Sequence, residues 1–140
     1  MLKSNVQKPL FPILAVDFGY RHMGVAVSDP QGKLAMALTQ LHGSQSQAIL
    51  DIEKIVQNYK IRSILVGMPV PAISEQTQLT KDVEQFIAKL KQATDLEINT
   101  FDELLTSKLA GGTKNNHAGA ARIILQGYLD TLHETEPTYA

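Results

Sequence analysis

Two periodicities divide this chain. Near the start, an apolar run over residues 11–17 ends on Asp17, turns through Phe18-Gly19-Tyr20-Arg21-His22, and resumes as a second apolar run over residues 23–28. Two such runs joined by a short glycine-containing connection predict a β-hairpin. Asp29-Pro30-Gln31-Gly32 then carries proline and glycine where a type I or II turn wants them, which predicts a third strand from residue 33 to about 41. The spacing next becomes helical. Ile49, Ile52, Ile55, Val56 and Tyr59 follow Ser44, a good N-cap, and predict a helix over residues 45–59. Residues 61–66 form a β-branched-rich run too short for a helix and predict a buried strand. Leu79, Val83, Phe86, Ile87 and Leu90 mark a second amphipathic helix, and residues 96–101 a fifth strand ending at Asp102-Glu103. A cap at Asn115 or Asn116 opens a last helix with Ala121, Ile124, Leu125, Tyr128 and Leu132 on its face.

The predicted order is βββαβαβα. Three strands in hairpin sequence followed by alternating helices and strands give an α/β fold with a five-stranded mixed sheet flanked by helices. We expect one domain over residues 10–133, with a flexible leader at 1–9 and a flexible tail at 134–140. The 140 residues suffice for a core without staples, and 44% apolar with 19% charged residues is ordinary for a globular chain. With no cysteine, a disulfide framework, thiol catalysis and cysteine-ligated zinc are excluded, which is compatible with a cytoplasmic location. Lys3 and Lys8 precede an apolar run, but that run contains Pro12, ends at Asp17 and has no small-residue cleavage site, so no secretion signal is expected. No stretch approaches the roughly 20 apolar residues of a membrane span.

Asp17 ends the first predicted strand, where a carboxylate can face a cleft. Gly24 would let another segment approach the second strand closely. Alone, a solvated turn carboxylate at Asp17 and a helix-dipole carboxylate at Glu103 are the ordinary roles of such residues. The phrases Asp17-Phe18-Gly19 and Gly24-Val25-Ala26-Val27-Ser28-Asp29, however, resemble the opening motif of the YqgF family. These are Holliday-junction-resolvase-like proteins, also described as pre-16S rRNA nucleases, of the ribonuclease H-like superfamily. Leu65-Val66-Gly67-Met68-Pro69, Phe101-Asp102-Glu103-Leu104-Leu105-Thr106 and Ala120-Ala121-Arg122-Ile123-Ile124-Leu125-Gln126-Gly127-Tyr128-Leu129 resemble three further family elements. The likeness spans about residues 12–130 in order, and the ribonuclease H-like fold it implies has the element order that the periodicity predicts.

The resemblance implies Asp17 as a first metal ligand and Glu103 as a second, with Mg²⁺ or Mn²⁺ assisting phosphodiester hydrolysis. Hard oxygen ligands suit those ions. The implied partner is nucleic acid, either structured RNA or branched DNA, with pre-16S rRNA processing as the role, and the chain is expected to be a monomer or homodimer. Where the family carries an Asp at the start of the last helix, this sequence has His117. A histidine there can ligate Mn²⁺ or act as general base, because the helix N-terminus disfavours its charged form. Asp17, Glu103 and His117 are therefore the candidate catalytic and metal-binding set. Arg21, beside Asp17, and Lys114 are candidate phosphate contacts.

Other departures favour a rival. Leu104 and His22 stand where the family has arginines, and Pro71-Ala72-Ile73-Ser74 replaces an Asn and an Asp-Gly turn. Only Lys108 and Lys114 supply positive charge between Thr106 and His117. Thirteen Lys and Arg against fourteen Asp and Glu give a net charge of −1 and a pI near 6.4, whereas nucleic-acid binding usually needs a basic face. The alternative is a catalytically decayed YqgF-like binding or scaffold module. A phosphotransfer domain ranks last, since no second domain is available to close over a nucleotide. Gly111-Gly112-Thr113-Lys114 lacks the leading glycine of a Walker loop, and His42 and His133 receive no role.

Overall fold

Alternation along the first strand sorts the molecule into layers. In the computed structural model, which describes residues 9–68, 77–102 and 117–134, β1 (Ile13–Asp17) is buried over its whole length at the centre of a five-stranded sheet. β2 (His22–Ser28) returns antiparallel beside it, and β3 (Ala35–His42) pairs antiparallel with β2 at one edge. On the other side β4 (Ser63–Met68) runs parallel to β1, and β5 (Glu97–Asp102) parallel to β4, giving the order β3-β2-β1-β4-β5. The carboxyl ends of β1, β4 and β5 consequently share one edge of the sheet. The five-stranded mixed sheet of the sequence reading is what is found.

Successive side chains of a strand point to opposite faces. Leu14, Val16, Val25, Val27, Ile64 and Val66 fill one layer with α1 (Gln45–Tyr59) and α2 (Gln78–Ala93), which contribute Ile52, Phe86 and Leu90. Ile13, Ala15, Ala26 and Leu65 face the other way and pack under α3 (His117–Glu134), on Ala121, Ile124, Leu125 and Leu129. The small residues Ala15 and Ala26, paired across the ladder, let α3 sit low on the sheet.

Local chemistry sets the element ends. Ser44 Oγ accepts the Gln47 N–H at 3.1 Å to start α1, and Lys60 ends it in the left-handed region at φ 55°. Thr77 caps α2 in the same way through the Thr80 N–H. The third strand begins at Ala35 rather than at residue 33 because the Asp29 carboxylate accepts the N–H groups of both Lys33 and Leu34, at 2.7 and 2.9 Å, and prolongs the turn. Gly32 closes that turn at φ 73°, donating to the Asp29 carbonyl at 3.0 Å. Pro9, assigned to the leader by sequence, is buried, and α3 extends to Glu134. The remainder of the predicted leader and tail lies outside the described residues. Among the described residues no helix is long and apolar enough to cross a membrane.

Candidate active site

Asp17 has the strand parity of Ile13 and Ala15, so it points to the face that α3 covers. It is buried, with only 8% of its surface exposed, a situation a carboxylate tolerates only when it has partners. One partner is His117, the first residue of α3: Nδ1 lies 3.1 Å from Asp17 Oδ2, although the two are 100 residues apart in sequence.

Three features bring them together. Gly24 is the ladder partner of Asp17, and a Cβ on it would lie 1.8 Å from the His117 carbonyl oxygen. The close approach predicted for Gly24 is thus to the backbone that opens α3. Gly19 leaves room on the other side, where a Cβ would meet the His22 carbonyl at 2.2 Å and His117 Cε1 at 3.4 Å. Gln40, register partner of Gly24 on β3, places Oε1 3.4 Å from the His117 N–H, one of the donors that a helix start leaves without an intrahelical acceptor.

The chemistry follows from the donor inventory. An ionised carboxylate only accepts, so the His117 ring donates to it from Nδ1, and an uncharged ring that does so keeps the Nε2 lone pair for another proton. The positive end of α3 favours negative charge on Asp17. The pair also suits a divalent ion in part. Adjacent ligands of an octahedral ion with bonds of about 2.1 Å stand about 3.0 Å apart, close to the observed 3.1 Å. A carboxylate oxygen with an imidazole nitrogen fits Mn²⁺ better than Mg²⁺. Two donors are an incomplete set, and among the described residues no group of three His, Cys, Asp or Glu side chains is placed to hold one ion. Glu103 and Lys114 lie outside the described residues, but β5 ends at Asp102 on the same sheet edge as Asp17.

Arg21 is exposed in the β1–β2 connection. That connection is fastened to α2, because the Tyr20 hydroxyl donates to Asp82 Oδ2 at 2.6 Å while Phe18 packs edge-on against Tyr20 and tilted against Phe86. The shared hydrogen bond holds the Asp82 carboxyl below its ordinary range and the Tyr20 hydroxyl above its own. One feature of the site was not anticipated from sequence. His22, with the parity of Gly24, stands beside His117 with ring centroids 6.3 Å apart, and its Nδ1 meets Nδ1 of His42 at 2.6 Å. Only the β2–β3 register could have announced that pair.

Comparison with known proteins is consistent throughout. The family model described as "RuvX: Holliday junction resolvase" matches residues 12–131. A protein of Ruminiclostridium cellulolyticum named "Putative pre-16S rRNA nuclease" is 31% identical over 134 residues, covering 86% of this chain and 94% of its own length. A protein of the same name from Maridesulfovibrio salexigens is 32% identical over 130 residues, covering 84% and 96%. Among solved structures, Thermus thermophilus RuvC superposes with a TM-score of 0.61 at 15% identity, over 89% of this chain and 98% of that one. A second T. thermophilus RuvC structure, in complex with a Holliday junction substrate, gives 0.59 at 14% identity over 88% and 96%. These neighbours share the fold of RuvC-like, ribonuclease H-type resolvases, and with a family match over most of its length this chain belongs to the RuvX family, also called YqgF.

Proposed function

We propose that this protein is a metal-dependent endonuclease that hydrolyses phosphodiester bonds in structured RNA or branched DNA, with pre-16S rRNA processing as its role in ribosome biogenesis. The observation that carries the reading is the contact of buried Asp17 with half-buried His117 at the edge where β1, β4 and β5 end. A fold needs neither a buried carboxylate there nor a helix pressed onto a glycine to reach it.

In this reading Asp17, Glu103 and His117 hold Mn²⁺ or Mg²⁺, which when bound polarises the phosphodiester and favours ionisation of water. Where Asp17 accepts from Nδ1 and orients the ring, Nε2 is left as the proton acceptor for an attacking water. Where Nδ1 ligates the ion instead, it has given up that proton and His117 serves as a ligand alone. Arg21 and Lys114 hold backbone phosphates, and the Tyr20–Asp82 bond steadies the connection that carries Arg21.

The test is Mn²⁺-dependent cleavage of a labelled pre-16S rRNA and of a four-way DNA junction by wild type, Asp17→Asn and His117→Ala. Loss of activity in both variants supports the triad, and loss only with Asp17→Asn reduces the site to its carboxylates. Absence of cleavage by wild type, together with absence of divalent-ion binding, would replace the enzyme with a binding or scaffold module. The departures at His117 and Leu104 would then mark decay of the site.

A further inference from the structure

We propose that His22 and His42 form a separate cation site, a two-imidazole clamp for a borderline divalent transition ion such as Zn²⁺. The two residues are direct register partners at the open end of the β2–β3 ladder, and both are exposed. Their rings meet edge to face, with centroids 4.6 Å apart and planes at 85°, and their Nδ1 atoms approach to 2.6 Å.

Two neutral imidazoles that face each other through Nδ1 share at most one proton across that gap, so at least one lone pair points into it. A cation between the rings takes both lone pairs. Imidazole nitrogen selects Zn²⁺, Ni²⁺ and Cu²⁺ over Mg²⁺ and Ca²⁺, which prefer oxygen. The site therefore differs in chemistry from one built on carboxylates. Tetrahedral Zn²⁺ with bonds of about 2.05 Å needs its nitrogens about 3.3 Å apart. Small side-chain rotations of two exposed residues supply that opening, while the ladder holds both backbones in place. Water fills the remaining coordination positions. The His117 ring, 6.3 Å from that of His22 and turned to Asp17, is not required as a ligand.

The experiment is a Zn²⁺ titration of the untagged full chain followed through the imidazole resonances of all four histidines, which separates an ion at His22 and His42 from one at the Asp17–His117 pair. The resonances of His22 and His42 should move together with one-to-one stoichiometry. His22→Asn and His42→Asn should each weaken Zn²⁺ binding by at least about tenfold, since loss of a ligand exceeds the effect of losing an outer-shell partner. In His117→Asn and His133→Asn, the Zn²⁺ affinity read at the His22 and His42 resonances should stay within about twofold, as independent sites do. Zn²⁺ should also raise the melting temperature of wild type by more than that of the His22 or His42 variants. Unchanged affinity in both His22→Asn and His42→Asn overturns the proposal. Abolition of Zn²⁺ binding by His117→Asn overturns it too, by moving the ion to the Asp17–His117 pair.

Discussion

Gly24→Ala tests how the candidate site is assembled. The added Cβ would lie 1.8 Å from the His117 carbonyl oxygen, 2.1 Å from its carbonyl carbon and 2.7 Å from the Ala118 nitrogen. All three are backbone atoms, so no side-chain rotation relieves the clash. An ordinary carbon–oxygen contact is about 3.3 Å, so the start of α3 must retreat from β2 by about 1.5 Å. The His117 Nδ1–Asp17 Oδ2 separation then grows from 3.1 Å to about 4.5 Å, beyond hydrogen-bonding range.

Such overpacking costs about 1–3 kcal/mol. At about 3 °C per kcal/mol for a chain of this size, the melting temperature should fall by roughly 3–9 °C. Calorimetry reads the stability and the His117 imidazole resonances read the displacement. Gly43→Ala is the contrast: its Cβ would make only ordinary contact, the nearest atom being Gln47 Cβ at 3.8 Å, but its φ of 100° strains any side chain. It should destabilise the fold without moving His117. If Gly24→Ala melts like wild type with unchanged His117 resonances, the account of how α3 is seated is wrong.

Three further outcomes follow from the same contacts. Leu125→Ala removes a fully buried side chain from the layer under α3 and should cost about 2–5 kcal/mol in urea denaturation. Tyr20→Phe should let the Asp82 carboxyl titrate nearer its ordinary range, read by ¹³C chemical shift against pH, because the hydroxyl that holds it down is gone. Asp29 is opposed by desolvation, yet the N–H groups of Leu34, Lys33 and Gln31 together hold its carboxyl below the usual range. A depressed folded-state value contributes stability above the unfolded-state value of about 3.9 that is lost as pH falls through the folded one. The difference in urea midpoint between wild type and Asp29→Ala should therefore shrink as pH falls to about 2.

Much of the fold is legible in the sequence because burial writes itself as period. β1 and β4 are buried on both faces and read as continuous apolar runs, and each helix shows its stripe. What propensity cannot show is a contact made by a side chain to distant backbone. The Asp29 carboxylate delays β3 by two residues, and nothing in the Lys33-Leu34 pair itself says so. The His22–His42 pair is hidden for a related reason. β2 and β3 change register between Val25 and Ala26: Ala26 pairs with Ala37 but Val25 with Thr39, leaving Leu38 as an extra residue. Without that bulge, His22 would face Leu41. A one-residue slip exchanges the faces of a strand, so the bulge both turns Leu41 into the core beside Met23 and brings His42 to His22. Asp17 and Gly24 carried the signal of a close approach, whereas which helix approaches depends on the whole of α3 packing across the sheet.

The histidine at the head of α3 makes a further prediction. Nδ1 of histidine and Oδ of aspartate are separated from Cβ by the same number of bonds, and Gly24 fixes the backbone from which either would project. In His117→Asp a second carboxylate oxygen should therefore replace Nδ1 about 3 Å from Asp17 Oδ2, and two carboxylates so close resist joint ionisation. The variant should melt below wild type in chelator at neutral pH. It should regain that loss in Mg²⁺, because an all-oxygen pair suits the hard ion as the mixed pair does not. Wild type, whose His117 Nδ1 meets Asp17 without any ion, should respond little to Mg²⁺ in the same thermal scan. A His117→Asp protein as stable as wild type in chelator would mean that the two side chains do not share the geometry described. Restored stability in Mg²⁺, in contrast, would mean that histidine lets the site assemble before metal arrives, where an acidic ligand would make assembly wait for the ion.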